Sequence, residues 1–139
     1  MTGLKVISVM LTAAVLFGCQ GLTEGKESSE NAIAHFQELY NQGNIEQIWK
    51  DADPEFRNAA PRANFDDLLG AEQRKLGKVV STSNTGWNVR SFNLVTNVFM
   101  TQDTIFEHGK GTESFTFKMD GKNAVLLGYN IQSMDLITK

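Results

Sequence analysis

Glu113 is the carboxylate with the strongest chemical potential in this chain. It falls in phase with Phe115 and Phe117 in a segment of β period, so it points with them toward an apolar interior. A carboxyl group there titrates above its usual range and can act as a proton-transfer acid or base. The structural alternative is an ion pair with an arginine such as Arg57 or Arg90, or a place at a solvated strand end. Glu107 and His108 are neighbours in the same segment. Adjacent strand residues face opposite ways, so the two do not share one substrate unless a bulge at Gly109 re-aims one. Tyr40, Trp49, Trp87 and Tyr129 either line an apolar ligand pocket or fill the core with their polar tips near its edge.

Other chemistries lack their residues. The two histidines, His35 and His108, fall in different elements, and there is one cysteine, so zinc-ligand spacing is missing. There is no Asp-x-Asp-x-Asp-Gly calcium loop, and Asp66-Asp67 reads as acid in the first turn of a helix. Gly109-Lys110-Gly111 is too short for a phosphate loop and no helix follows it. No serine stands in Gly-x-Ser-x-Gly. Neither a metal nor a cofactor is expected.

The single cysteine, Cys19, closes an N-terminal segment in which Lys5 precedes an apolar run from Val6 to Phe17 and then Gly18. The run is shorter than the roughly 20 residues of a spanning helix and fits the hydrophobic region of an export signal. With Leu16-Phe17-Gly18 before Cys19, the segment resembles a bacterial lipoprotein signal with its lipobox. The resemblance implies cleavage before Cys19, a diacylglycerol on its thiol, and acylation of the new amino group. It implies a lipid-anchored, extracytoplasmic protein of the bacterial cell envelope. Gln20 stands where an aspartate would favour the inner membrane, which points to the outer membrane, facing the periplasm, in a Gram-negative cell. The alternative is an ordinary buried cysteine in an N-terminal helix.

The chain of 139 residues has a net charge of −3, and the signal contributes one lysine and no acid. The mature part is therefore slightly more acidic, which argues against nucleic acid as a partner. The basic cluster Arg74-Lys75 with Lys78 falls where a helix ends and suits its dipole. With Cys19 acylated, no thiol is left for a disulfide, so packing alone stabilises the fold. The expected organisation is a signal over 1–18, a lipidated tether over 19–27 and a single domain over 28–139.

Ser28 caps the first expected helix, with Ala32, Phe36, Leu39 and Tyr40 on one stripe. Gly43 ends it. Asn44 and Gln47 form a capping pair for a second helix carrying Ile45, Ile48 and Trp49, which Asp53-Pro54 breaks. Phe56 then plugs a loop. Pro61 and Asn64 introduce a third helix with Phe65, Leu68, Leu69 and Leu76 on one side, closed by Gly77. Strands follow over Val79–Arg90, Phe92–Met100, Thr104–Met119 and Asn123–Leu136. Phe92, Leu94, Val98 and Met100 share one face, and Val125, Leu127, Tyr129 and Ile131 another. Asp120-Gly121 is a hairpin signal, and Gly109 and Gly111 suggest a bulge or bend. The expected fold is α+β, with three N-terminal helices packed on a curved, cone-like four-stranded antiparallel sheet.

This order resembles the cone fold (cystatin-like) of the nuclear transport factor two superfamily. It is closer still to an uncharacterised family of small secreted bacterial proteins. The matching residues are Ala34 to Gly43, Ile48-Trp49, Phe56-Arg57, Leu76-Gly77, Glu113-Ser114-Phe115 and Gly121 with Gly128 to Ile131. Asn123-Ala124 stand where that family has a tryptophan, and the spacing to Gly128-Tyr129 is a residue longer. The resemblance brings no established activity, although isomerases and dehydratases of the superfamily place acids in the cone as Glu113 would be placed. The expectation is a non-enzymatic domain that binds an apolar small ligand or an envelope protein. Pairing of two copies through the sheet is also compatible with it, and the alternative is a cone-fold enzyme using Glu113. In the native host, Cys19→Ser should move the protein from the membrane fraction to the soluble one; unchanged retention would reject the anchor.

Overall fold

The computed structural model describes residues 20–138. Cys19 and the signal before it lie outside the described residues. Helix α1 spans Gln20–Asn41, so the segment expected as a tether is helical from Gln20 onward. Ser28, expected as the N-cap, lies inside α1. Its hydroxyl donates to the Lys122 carbonyl at 2.7 Å and accepts from the Ala124 N–H at 3.1 Å. That cross-link fastens α1 to the sheet. Gly25 lets the helix approach closely, since a Cβ there would stand 3.3 Å from Cγ2 of Val98. Ile33, Phe36, Leu39 and Tyr40 are buried along α1, the recurrence of a one-sided helix.

Gly43, at φ 72°, ends α1. Asn44 caps α2 (Ile45–Asp51), its side chain accepting from the Gln47 N–H at 3.2 Å. Asp53-Pro54 breaks α2 as expected but also starts a helix. Asp53 accepts from the Glu55 N–H at 2.9 Å, and Pro54 opens α3 (Pro54–Ala59), since proline needs no N–H partner in a first turn. The N-terminal helices therefore number four, not three, and Phe56 packs from α3 against Trp49 and Phe65. Helix α4 (Arg62–Lys75) buries Phe65, Leu69 and Glu72.

Four strands form an antiparallel meander in chain order: β1 (Val79–Phe92), β2 (Val95–Phe106), β3 (Gly109–Asp120) and β4 (Asn123–Gln132). The architecture is α+β, with the N-terminal helices packed on this sheet. Three boundaries differ from expectation. Phe92 and Leu94 do not share the inner face with Val98 and Met100. They flank Asn93 at a β1–β2 turn where Asn93 and Leu94 have φ of 48° and 64°, the left-handed backbone of a tight hairpin. The long third strand is divided, since Glu107 and His108 form the β2–β3 turn between paired Phe106 and Gly109. The chain ends in α5 (Met134–Thr138) rather than a strand to Leu136.

The bulges also fall elsewhere than at the glycines of β3. Register shifts leave Val80 and Thr85 unmatched in β1 and Leu127 unmatched in β4. The extra residue at Leu127 changes the phase of β4. Leu126 is buried before it and Ile131 after it, so Val125 and Leu127 are out of phase with Tyr129 and Ile131.

The core lies between α1, α4 and the inner sheet face, with Ile33, Leu69, Leu76, Val98, Phe115 and Phe117 almost fully buried. Gly77 closes α4 at φ 77°, and a Cβ there would meet Glu107 Oε2 at 2.6 Å. Gly77→Ala should destabilise the domain by about 1–2 kcal/mol through left-handed strain, read as a lower urea midpoint at unchanged slope.

Candidate functional site

Five side chains from five elements gather around Glu113, which is buried on β3. The bulge in β4 sets Tyr129 opposite Phe115, so Tyr129 becomes a diagonal neighbour of Glu113 on the inner face. Thr104 reaches Glu113 diagonally from β2. Gln37 comes from α1 and Glu72 from α4, and Thr82 from β1 completes the group. Glu113 and Glu72 are 1% and 0% exposed.

The hydrogen bonds have a definite direction. Glu113 Oε1 accepts from Gln37 Nε2 at 3.0 Å and from the Thr104 hydroxyl at 2.6 Å. Because Thr104 gives its proton to Glu113, it accepts from Thr82, whose hydroxyl lies 2.9 Å away. Tyr129 Oη stands 2.7 Å from Glu113 Oε2 and 2.9 Å from Glu72 Oε2. A phenol has one proton, so it donates to one carboxyl, and the other contact needs a proton of that carboxyl's own. Glu72 is the group that keeps one. Burial pushes it up to about 8; the Tyr129 hydrogen bond works the other way, and the charge of Glu113 adds to the rise. The proton order is therefore Glu72 carboxylic acid to Tyr129, and Tyr129 to Glu113. Glu72 Oε1 is buried with no hydrogen-bond partner. Burial also raises Tyr129 well above its usual range, with the charges of Glu113 and Glu72 next in effect.

Glu113 thus pairs with neither arginine considered for it. Arg57 donates to the Lys50 carbonyl at 2.8 Å, and Arg90 lies 5.3 Å over the Phe99 ring. The four aromatic candidates go to different places. Tyr40 donates to the Gly77 carbonyl at 2.9 Å, and burial raises its phenol, followed by the charges of Glu72, Glu113 and Glu107. Trp49 packs with Phe56 and Phe65. Trp87 is half-exposed on β1 beneath Lys26. Only Tyr129 joins the acid cluster, where it also packs on Phe36 and Phe115. His35, on α1, lies 3.4 Å from Asp51 on the surface, and His108 sits in the β2–β3 turn. Among the described residues, no group of three or more His, Cys, Asp or Glu could hold a metal ion.

Glu72 is the functional candidate that sequence reading passes over. Its signal is spacing: Phe65, Leu69, Glu72 and Leu76 follow steps of four, three and four residues along the buried side of α4. An acid on that stripe lies in the core.

A cleft of about 150 Å³ opens between α1, α2 and the inner face of β3 and β4. Phe36, Leu39, Ile48, Phe117 and Leu126 line it, with His35 and Asp51 beside them. None of the acid cluster lines this cleft.

No family model matches the chain, and no curated protein matches it significantly. Among solved structures, it is similar to Bd1075 of Bdellovibrio bacteriovorus, with a TM-score of 0.49 and 10% identity over 78% of this chain and 40% of that one. This chain thus spans less than half the length of Bd1075. The match is that of a small α+β domain to part of a bacterial protein.

The acid pair predicts a pH dependence. Glu72 titrates near 8 in the fold and at about 4.3 in an unfolded chain. Between those values the folded state holds a proton that unfolding releases, so stability falls as pH rises, by up to about 1.4 kcal/mol per pH unit. Glu72→Gln keeps an N–H donor for Tyr129 and cannot ionise. It should remove this group's share of the slope between pH 5 and 8 and leave the protein about 2 kcal/mol or more stabler at pH 8, measured by urea unfolding across pH.

Proposed function

We propose that this chain is a lipid-anchored bacterial cell-envelope protein whose domain, of nuclear transport factor two-like cone type, binds a partner without catalysis. The observation that carries the binding reading is the apolar cleft between α1, α2 and the sheet. Its volume of about 150 Å³ is that of a cavity that takes one benzene-sized group. It therefore suits one aromatic or branched side chain of a partner protein, with His35 and Asp51 as polar contacts at the edge. The acid cluster supports the same reading. Each oxygen of Glu113 already accepts from a donor of the fold, which leaves it structural work to do.

Toluene is a suitable probe of the cleft. Titration should shift the methyl resonances of Leu39, Ile48 and Leu126 in a saturable way, and Ala32→Phe, which fills the cleft from α1, should weaken the effect by about tenfold or more. Unshifted methyls at saturating toluene would reject the cleft as a binding site.

A second reading, a cone-fold isomerase or dehydratase using Glu113, is favoured by one feature. Glu72, Tyr129 and Glu113 form a buried chain along which a proton can pass, as acid–base chemistry requires. It needs reagents to reach Glu113. Carbodiimide with a small amine should leave Glu113 unmodified in the folded protein under the binding reading, whereas rapid modification would favour the enzyme.

A further inference from the structure

We propose that the β1–β2 hairpin is a second membrane contact, which inserts Phe92 and Leu94 into the lipid surface that holds Cys19. This rests on the lipid-anchor reading above. Phe92 and Leu94 are 79% and 105% exposed at the hairpin tip. Leu94 carries its side chain at φ 64°, a backbone that selects glycine or asparagine. A leucine there is strained and, at this exposure, gains no packing within the domain. Strain combined with exposure of a large apolar group marks a surface that meets something else.

Charge and position identify a bilayer as the occupant. From Val79 to Gln102 the only charged residue is Arg90. The hairpin itself therefore carries no carboxylate into the headgroup boundary, Asp120 lying at the neighbouring β3–β4 turn, and Arg90 suits lipid phosphates. Cys19 directly precedes α1 in the sequence, and α1 starts at this same end of the sheet. There Gly25 abuts Val98, Lys26 lies 6.0 Å from the Trp87 ring, and Glu24 pairs with Lys122 of the β3–β4 turn at 3.7 Å. From Lys26 back to Gln20 a helix advances about 9 Å. From Trp87 to Phe92 a strand advances about 16 Å. The hairpin is long enough to reach the plane set by the anchor, and insertion of about 5–10 Å is the depth typical of interfacial apolar groups. With α1 helical from Gln20, anchor and tip together hold the domain in one orientation.

The test uses the full chain, purified from bacterial membranes and reconstituted in vesicles of phosphatidylethanolamine and phosphatidylglycerol. Mass spectrometry of this material reads lipid on Cys19 and so tests the anchor separately. Hydrogen exchange reads the tip. Amides of residues 92–96 should exchange about tenfold or more slowly on vesicles than in lipid-free Cys19→Ser protein, with the β2–β3 turn unchanged. Leu94→Gly suits the left-handed backbone, so it should stay folded and lose most of this protection. Lipid on Cys19 with unchanged tip exchange overturns the proposal and leaves the anchor standing. Tip protection on vesicles without lipid on Cys19 supports the contact and rejects the anchor. Protection that grows with protein concentration in lipid-free solution overturns the proposal in favour of self-association.

Discussion

Two carboxyl groups buried within reach of one phenol cannot both be charged without a cation, and the groups bonded to Glu113 and Glu72 are neutral. One proton must stay in the core. Tyr129 settles where, because its single hydrogen goes to Glu113 and its oxygen takes the hydrogen of Glu72. This exchange ties α4 to β3 and β4, while Gln37 ties α1 to the same carboxylate. A charged acceptor makes the bonds to Glu113 worth about 1.5–3 kcal/mol each. The cost is the desolvation of two acids and the unpartnered Glu72 Oε1, so the network contributes more to specifying how helices and sheet dock than to net stability.

The docking it specifies leaves little polar capacity inside. Phe36, Phe115 and Tyr129 pack ring against ring beside the acids. An apolar cleft opens at the edge of α1 and α2, and the strongly exposed Phe92 and Leu94 stand at the β1–β2 tip. Both lie on elements fastened to α1. The Glu24–Lys122 ion pair and the Ser28 bonds to Lys122 and Ala124 hold its first half. At its other end, the Asn41 side chain bonds both backbone groups of Val79, at 3.1 and 2.8 Å. A helix held along its first half and at its C-terminal end fixes its own direction relative to the sheet.

Legibility varied residue by residue. Glu113 was readable as inward because two aromatics share its period in an uninterrupted stretch of strand. Asn44 and Gly77 were readable because capping chemistry is local. Glu72 was masked by its neighbours Gln73, Arg74 and Lys75, although its spacing from Leu69 and Leu76 marked the buried side. Phe92 and Leu94 misled because apolar alternation ran on through a turn whose centre, Asn93-Leu94, lacks the usual glycine. Glu107-His108 hid a turn for the same reason. At the start of α1, polar residues and glycines read as a tether, whereas close approach to Val98 and the Ser28 cross-link stabilise a helix that propensity alone does not favour.

The sequence by itself determined the order of helices before strands, the four-strand meander, and the inward facing of Glu113. These depend on periodicity and caps that operate within a few residues. The tertiary structure alone decided which groups surround Glu113, where the strands bulge, and which turns leave apolar side chains outside. A one-residue bulge at Leu127 reverses the facing of everything after it in β4, and its position depends on pairing with β3 and packing against α4. That choice belongs to contacts distant in sequence, which no local pattern encodes.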